Sequence, residues 1–283
     1  DFQAIHVKIV GTWDDRLVVA GLRDQGIATI QVYKIDNDDS ISLQHWFDTP
    51  APIEAMAVSE AGNRIAVALN GPIRFVVYSQ STENNSYVQH GEIIEASELD
   101  TDTTHHSPNI MLSNNGRTLA VSMQGQDTKV HVLQDVSSLG EFGGGVWKRL
   151  GEPLGNLHKQ EFGSFGTFTA LAGHGKSFVV ASEFEMVAIH ELSQDESRWP
   201  LRAQYDEAPR VGLGSLAMSR DGSTFAVGSY EGKRDGTGEV RVVNEAWPWF
   251  KINWEDDFLE NHDEVNIQVA LSETGEDVLV GRF

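Results

Sequence analysis

One motif recurs along the chain and limits its folds before any other feature does. Residues 216–229 read "LAMSRDGSTFAVGS", two short apolar stretches joined by an Asp-Gly turn. Versions of it surround Gly62 ("MAVSEAGNRIAVAL"), Gly116 ("IMLSNNGRTLAVSM"), Gly175 ("TALAGHGKSFVVAS") and Gly275 ("VALSETGEDVLVGR"), with a degenerate copy, "KIVGTWDDRLVVAG", at residues 8–21. The turn positions Asp14, Gly62, Gly116, Gly175, Gly222 and Gly275 recur with a period of roughly 50 residues, which means an array of one structural unit.

The stretch after each turn aligns as Leu17-Val18-Val19-Ala20, Ile65-Ala66-Val67-Ala68, Leu119-Ala120-Val121-Ser122, Phe178-Val179-Val180-Ala181, Phe225-Ala226-Val227-Gly228 and Val278-Leu279-Val280-Gly281. Positions one and three of a strand share one face, and two and four the other. Each stretch thus has a bulky and a smaller apolar face, as a sheet stacked between two like neighbours requires. A β-branched third strand follows ("ATIQVYKI", "IRFVVYS", "KVHVLQ", "MVAIHEL", "EVRVVN"). A fourth often carries Trp or Tyr ("LQHWF", "YVQHGEI", "VWKRLG", "WFKINWE"). Four short strands per unit without helical periodicity describe β-propeller blades. The expectation is an all-β propeller of six to seven blades, one domain over residues 1–283. Its repeats run approximately 1–50, 51–105, 106–160, 161–210, 211–262 and 263–283. The sixth repeat stops after its second strand, so two strands are expected from outside these residues or from a partner.

"VWKRLGEPLGN", "FGSFGTFTALAGHGKSFVVAS" and "LAMSRDGSTFAVGSYEGKRDGTGEVRVVN" resemble the FG-GAP-type repeats of integrin-α-like propellers, in the version of large secreted or surface proteins of algae and bacteria. The likeness covers residues 146–182 and 216–244; the first three repeats are equally similar to WD-like or lactonase-type propellers. The resemblance implies an extracellular recognition or adhesion scaffold. Many FG-GAP turns carry a calcium loop of alternating aspartates. Here Glu60-Ala61-Gly62, Asn114-Asn115-Gly116, Gly173-His174-Gly175, Arg220-Asp221-Gly222 and Glu273-Thr274-Gly275 offer one carboxylate each at most. Ca²⁺ takes about six to eight oxygens. No cofactor is therefore required by the reading, and the turns are hairpins whose glycine takes positive φ.

Forty-two Asp and Glu against 21 Lys and Arg give a net charge of −21. Nucleic-acid binding needs clustered cations to displace counterions, and anionic membrane surfaces repel such a chain. No apolar run approaches the roughly 20 residues that span a bilayer. Protein or carbohydrate partners remain, together with further segments of the chain itself. Cysteine is absent, which removes disulfides and thiolate chemistry.

Linear catalytic motifs fail one by one. "GHGKS" lacks the first P-loop glycine, since Ala170 stands there, and a strand follows it instead of a helix. No nucleophile elbow or zinc-binding histidine pair occurs. The chemistry gathers in the loops expected around the mouth of the central channel. Between repeats these carry Asp100, Asp102, His105 and His106; His158 and Glu161; Asp206 and Glu207; and Glu260, His262 and Asp263. The loops joining second and third strands add Glu231 and Asp235. The expectation is a ligand- or partner-binding rim, with Asn84 of Asn84-Asn85-Ser86 a glycosylation acceptor in a secreted protein. The alternative is a propeller hydrolase of lactonase or glycosidase type, using the same carboxylates and imidazoles around a divalent cation.

Overall fold

Apolar residues at spacing two, punctuated by Ser-x-x-Gly turns, leave the backbone little choice but antiparallel ladders. The structure is a computed structural model that describes residues 3–12, 15–24, 27–99, 108–123, 129–137, 144–155, 168–181, 187–205, 213–230, 238–244, 247–254 and 267–282. Among these there is no α-helix, only a 3-10 turn at Ala96–Leu99. No helix is long and apolar enough to cross a membrane.

Sheet I runs β1 (Gln3–Thr12), β2 (Asp15–Asp24), β3 (Ile27–Ile35) and β4 (Ile41–Thr49) in chain order. Sheet II has β5 (Ile53–Val58), β6 (Arg64–Leu69), β7 (Arg74–Gln80), β8 (Tyr87–Gln89) and β9 (Ile94–Glu95). Sheet III has β10 (Pro108–Leu112), β11 (Thr118–Met123), β12 (Lys129–Asp135), β13 (Trp147–Arg149) and β14 (Leu154–Gly155). Sheet IV is β15 (Phe168–Leu171), β16 (Ser177–Ala181), β17 (Val187–Glu191) and β18 (Leu201–Tyr205). Sheet V is β19 (Leu213–Met218), β20 (Thr224–Tyr230), β21 (Gly238–Asn244) and β22 (Trp247–Trp254). Sheet VI is β23 (Ile267–Leu271) with β24 (Val278–Arg282). Four strands per repeat is what the sequence pattern predicts. In sheets II and III the fourth strand is broken, and both pieces pair with the third. The breaks fall at Gly91 (φ 85°) and Gly151 (φ 71°). A Cβ at Gly91 would meet the Gly145 carbonyl oxygen at 2.4 Å, and one at Gly151 the Trp199 ring at 2.7 Å.

The described residues form two compact units, Asp1–Met123 with His131–Leu150, and Gln124–Val130 with Gly151–Phe283. In the first, β1, β5 and β10 lie side by side; in the second, β15, β19 and β23 do the same. First strands meet first strands, and the fourth strands lie outermost; β4 exposes Ile41, Leu43 and Trp46. Between sheets the two faces interlock. Ala66, Ala68, Phe75 and Val77 of sheet II pack against Ile110, Leu119 and Val121 of sheet III. Val179 and Ala181 of sheet IV receive Phe225 and Val227 of sheet V. The smaller face of one sheet thus accepts the bulky face of the next, and the middle of β6, β11 and β16 is buried on both sides. Burying one such Val or Leu contributes about 1.5–3 kcal/mol.

The degenerate first copy departs from this alignment. Leu17 and Val19, placed on the bulky face by the sequence pattern, join the cluster shared with Ile65 and Val67 of sheet II. Leu17 also stands against the next turn glycine, Gly62, as Arg64, Ser177 and Thr224 stand against Gly116, Gly222 and Gly275. Val18-Val19-Ala20-Gly21 is therefore the true counterpart, one residue along. The cause is the first hairpin, which closes between Thr12 and Asp15, whereas the later ones carry the longer Ser-x-x-Gly loop. A one-residue change of register exchanges the faces.

Candidate functional site

The sheets have two unlike ends. At one, the turns between first and second strands repeat a single geometry. Gly62, Gly116, Gly175, Gly222 and Gly275 have φ of 68°, 69°, 75°, 73° and 73°. In each, the glycine amide donates three residues back: Gly62 to Ser59, Gly116 to Ser113, Gly175 to Ala172, Gly222 to Ser219 and Gly275 to Ser272. The serine hydroxyl accepts the amide five residues on, from Arg64, Thr118, Thr224 and Asp277. Neighbouring turns are tied together by Glu60 donating its amide to the Asn114 carbonyl, and Arg220 to that of Glu273. The Asn114 amide group also donates to the Glu60 carboxylate, and Arg220 pairs with Glu273. The first-to-second strand turns are thus built alike in sheets II to VI.

The same end holds a buried charge cluster. Asp135, at the end of β12, is 1% exposed and accepts from Arg64 Nη1 at 2.8 Å and meets His90 Nε2 at 2.9 Å. Ser137 donates its amide at 3.0 Å and its hydroxyl at 2.6 Å to the other carboxylate oxygen. Arg117 Nη2 donates to the carbonyls of Asp135 and Ser137. Burial disfavours the Asp135 anion, but the Ser137, His90 and Arg64 bonds outweigh it and hold the carboxyl well below the usual range. A carboxylate, an imidazole and a hydroxyl in one cluster invite comparison with a nucleophilic triad. The wiring is wrong for one: the Ser137 hydroxyl bonds Asp135, not His90, and His90 Nδ1 is buried with no partner. Trp147 closes over His90, donating its indole N–H to the His90 carbonyl at 3.3 Å. The cluster binds sheet II to sheet III. It escapes sequence reading because its members sit far apart in the chain, in no motif.

At the opposite ends of the sheets, second strands pass to third and fourth strands to the next repeat. The candidate residues belong to these connections, and the antiparallel strand order sets both kinds at one end of each sheet, as the sequence pattern requires. Asp100, Asp102, His105, His106, His158, Glu161, Asp206, Glu207, Glu231, Asp235, Glu260, His262 and Asp263 all lie outside the described residues. Asn84 is described: it is exposed in the turn between β7 and β8, and its side-chain oxygen accepts from the Ser86 amide and hydroxyl. Among the described residues no group of three or more His, Asp or Glu could hold a metal ion.

No family model matches the sequence, and no curated protein does. Solved structures do match. The β-propeller domain of Cps50 (Swd1) from Myceliophteria thermophila superposes with a TM-score of 0.62 at 12% identity, covering 99% of this chain and 80% of that one. A functionally unknown protein from Desulfotomaculum acetoxidans gives 0.60 at 16%, covering 96% and 77%. A putative 6-phosphogluconolactonase from Bacteroides fragilis gives 0.57 at 13%, covering 96% and 75%. At these identities the likeness concerns fold alone, and the fold is a β-propeller of six repeat units, the last with two described strands.

Proposed function

We propose that this β-propeller is a non-catalytic recognition or assembly module that binds its partner through the acidic connections at one end of its sheets. The observation carrying this is the contrast between the two ends. The turn end repeats one hydrogen-bond pattern in the first-to-second strand turns of sheets II to VI and buries Asp135, His90 and Arg64 in mutual bonds. The other end takes the connections between repeats, which carry the candidate carboxylates and imidazoles in the sequence. Loops that vary on a constant scaffold are where recognition usually resides. A net charge of −21 favours a protein partner with a cationic surface, drawn in by a long-range field that salt weakens. Neutral carbohydrate is the other ligand class compatible with that charge. The resemblance of residues 146–182 and 216–244 to FG-GAP-type repeats supports a secreted or surface protein, in which Asn84 would be the glycan acceptor. The chemistry requires no cofactor, and Ca²⁺ would have to be held by the loops, since the turns lack the ligands.

Cross-linking of the affinity-captured complex tests this. Cross-links to the partner are expected in residues 100–107, 156–167, 231–237 and 255–266; cross-links confined to the turn end would contradict it.

A second reading draws support from the Bacteroides neighbour and from Asp100, Asp102, His105 and His106 in one loop. It is a propeller hydrolase in which a loop-held divalent cation polarises an ester or glycosidic bond. Chelator-sensitive turnover of a lactone or aryl glycoside would establish it in place of the first.

A further inference from the structure

The chain contains two Asn-Gly pairs, Asn70-Gly71 and Asn115-Gly116, and the fold treats them in opposite ways. An asparagine before glycine is open to attack by the backbone on its own side chain, because glycine puts no Cβ beside the attacking nitrogen. At Asn115 the fold blocks that attack. The Gly116 amide donates to the Ser113 carbonyl at 2.8 Å, and Asn115 Oδ1 accepts from the Ser113 hydroxyl and the Arg117 amide, each at 2.9 Å. Gly116 is buried against the Arg64 side chain, and Arg64 Nη1 donates to its carbonyl at 3.0 Å.

Asn70, in the connection between β6 and β7, is set the other way. Asn70 and Gly71 are both exposed. The Gly71 amide donates to Asn70 Oδ1 at 2.6 Å, so its nitrogen already lies on the side chain it would attack. Cγ is at most one C=O bond, about 1.23 Å, further from that nitrogen. The Glu54 carboxylate accepts from Asn70 Nδ2, which fixes the side-chain amide with its oxygen towards Gly71 and its nitrogen towards Glu54. The Asn70 amide donates to the Pro52 carbonyl at 2.7 Å, and Pro72 follows Gly71, so the backbone is held on both sides. Gly71 has φ 112°, and among the described residues nothing lies within 4 Å of where its Cβ would stand. We propose that Asn70-Gly71 is a self-modification site, at which the chain converts its own asparagine through a cyclic imide to aspartate and isoaspartate.

The reaction needs only water and hydroxide. Hydroxide takes the Gly71 amide proton, and the nitrogen attacks Asn70 Cγ to form the N–Cγ bond. The Cγ–Nδ2 bond then breaks, and Nδ2 leaves as ammonia with a proton from water, which returns the hydroxide. The five-membered imide takes up one water. Opening at Cγ leaves aspartate at residue 70; opening at the backbone carbonyl gives isoaspartate, whose side-chain carbon joins the main chain and lengthens it by one atom. Holding the two reacting groups together is what accelerates such a step over the same groups in a free chain. Either product sets a second carboxylate beside Glu54 in place of the amide hydrogen bond, at the end of sheet II where its second strand passes to its third. The inference stands whether or not that end recognises a partner.

The test is peptide mapping by mass spectrometry of the whole native chain, incubated at mildly alkaline pH, beside the same chain unfolded in guanidinium chloride. In the folded chain the Asn70 peptide should gain the mass of an amide-to-acid conversion at least tenfold faster than the Asn115 peptide. Its products should separate by chromatography into an α-linked and a β-linked form. In the unfolded chain both pairs are released from the fold, and the two rates should converge. Equal or reversed rates in the folded chain overturn the proposal, as does an Asn70 that stays unconverted. A tenfold advantage that persists in the unfolded chain also overturns it, because the neighbouring sequence and not the fold would then set the rate.

Discussion

Asp135 shows how this protein uses a buried charge. Its carboxylate has Arg64, His90 and Ser137 on its two oxygens and no access to water. Asp135→Asn leaves Arg64 and His90 in a site made for an anion. Breaking a buried pair from one side costs about 3–5 kcal/mol, and the denaturant midpoint should fall accordingly. A loss below about 1 kcal/mol, the worth of an exposed pair, would contradict the role assigned to it. His190 supplies the opposite case. It is 1% exposed, stacks on Phe178, and bonds the Trp199 carbonyl through Nδ1 at 3.0 Å, while Nε2 is buried with no partner. Burial lowers its pKa against a smaller opposing effect of that carbonyl. Protons therefore bind the unfolded chain first. The stabilisation is complete above the unfolded value of about 6.5 and is lost as pH falls from there through the lower folded value. His6 shifts in the same direction, again chiefly by burial. His190→Phe should flatten the fall in stability below about pH 6.5 without abolishing it; an unchanged slope, from unfolding curves across that range, would contradict the account.

At the scale of elements, the turn glycines divide into those that are merely strained and those that are also enclosed. A Cβ at Gly275 would lie 2.6 Å from the Thr224 Cβ, at φ 73°. Gly71 has φ 112° but nothing within 4 Å of the same position. Gly275→Ala should thus cost more than Gly71→Ala, by upwards of about 1 kcal/mol beyond the shared backbone strain. Equal losses in thermal denaturation would show that the packing between turn and strand contributes nothing. These glycines were legible in the sequence, because Ser-x-x-Gly between two apolar strands has a local cause. So were the strand count and the two-faced second strands. The first copy was misread by one residue because its hairpin is shorter, and apolar periodicity alone cannot distinguish Leu17-x-Val19 from Val18-x-Ala20. The breaks at Gly91 and Gly151 were not legible either. Gly91 is required by the Gly145 carbonyl and Gly151 by the Trp199 ring, in contacts that no local pattern encodes. The Asp135 cluster was hidden for the same reason. The candidate loop residues came from composition and topology, and they lie outside the described residues.

Across the molecule, the proposed function is a division of labour in which packed sheets and repeated turns give a constant scaffold and the acidic connections are the proposed recognition surface. Two properties follow from net charge and sheet packing together. Association should weaken with added salt, because its attraction is long-ranged. Substitution in the connections should leave the scaffold intact, because the sheets are held by their own cores and turn bonds. The most direct measurement captures the partner with the native chain and with one variant carrying Asp100→Asn, Asp102→Asn, Glu260→Gln and Asp263→Asn, after matching their melting temperatures. The account predicts that the variant folds as the native chain does and loses partner binding at least tenfold. Undiminished binding by a folded variant would contradict it.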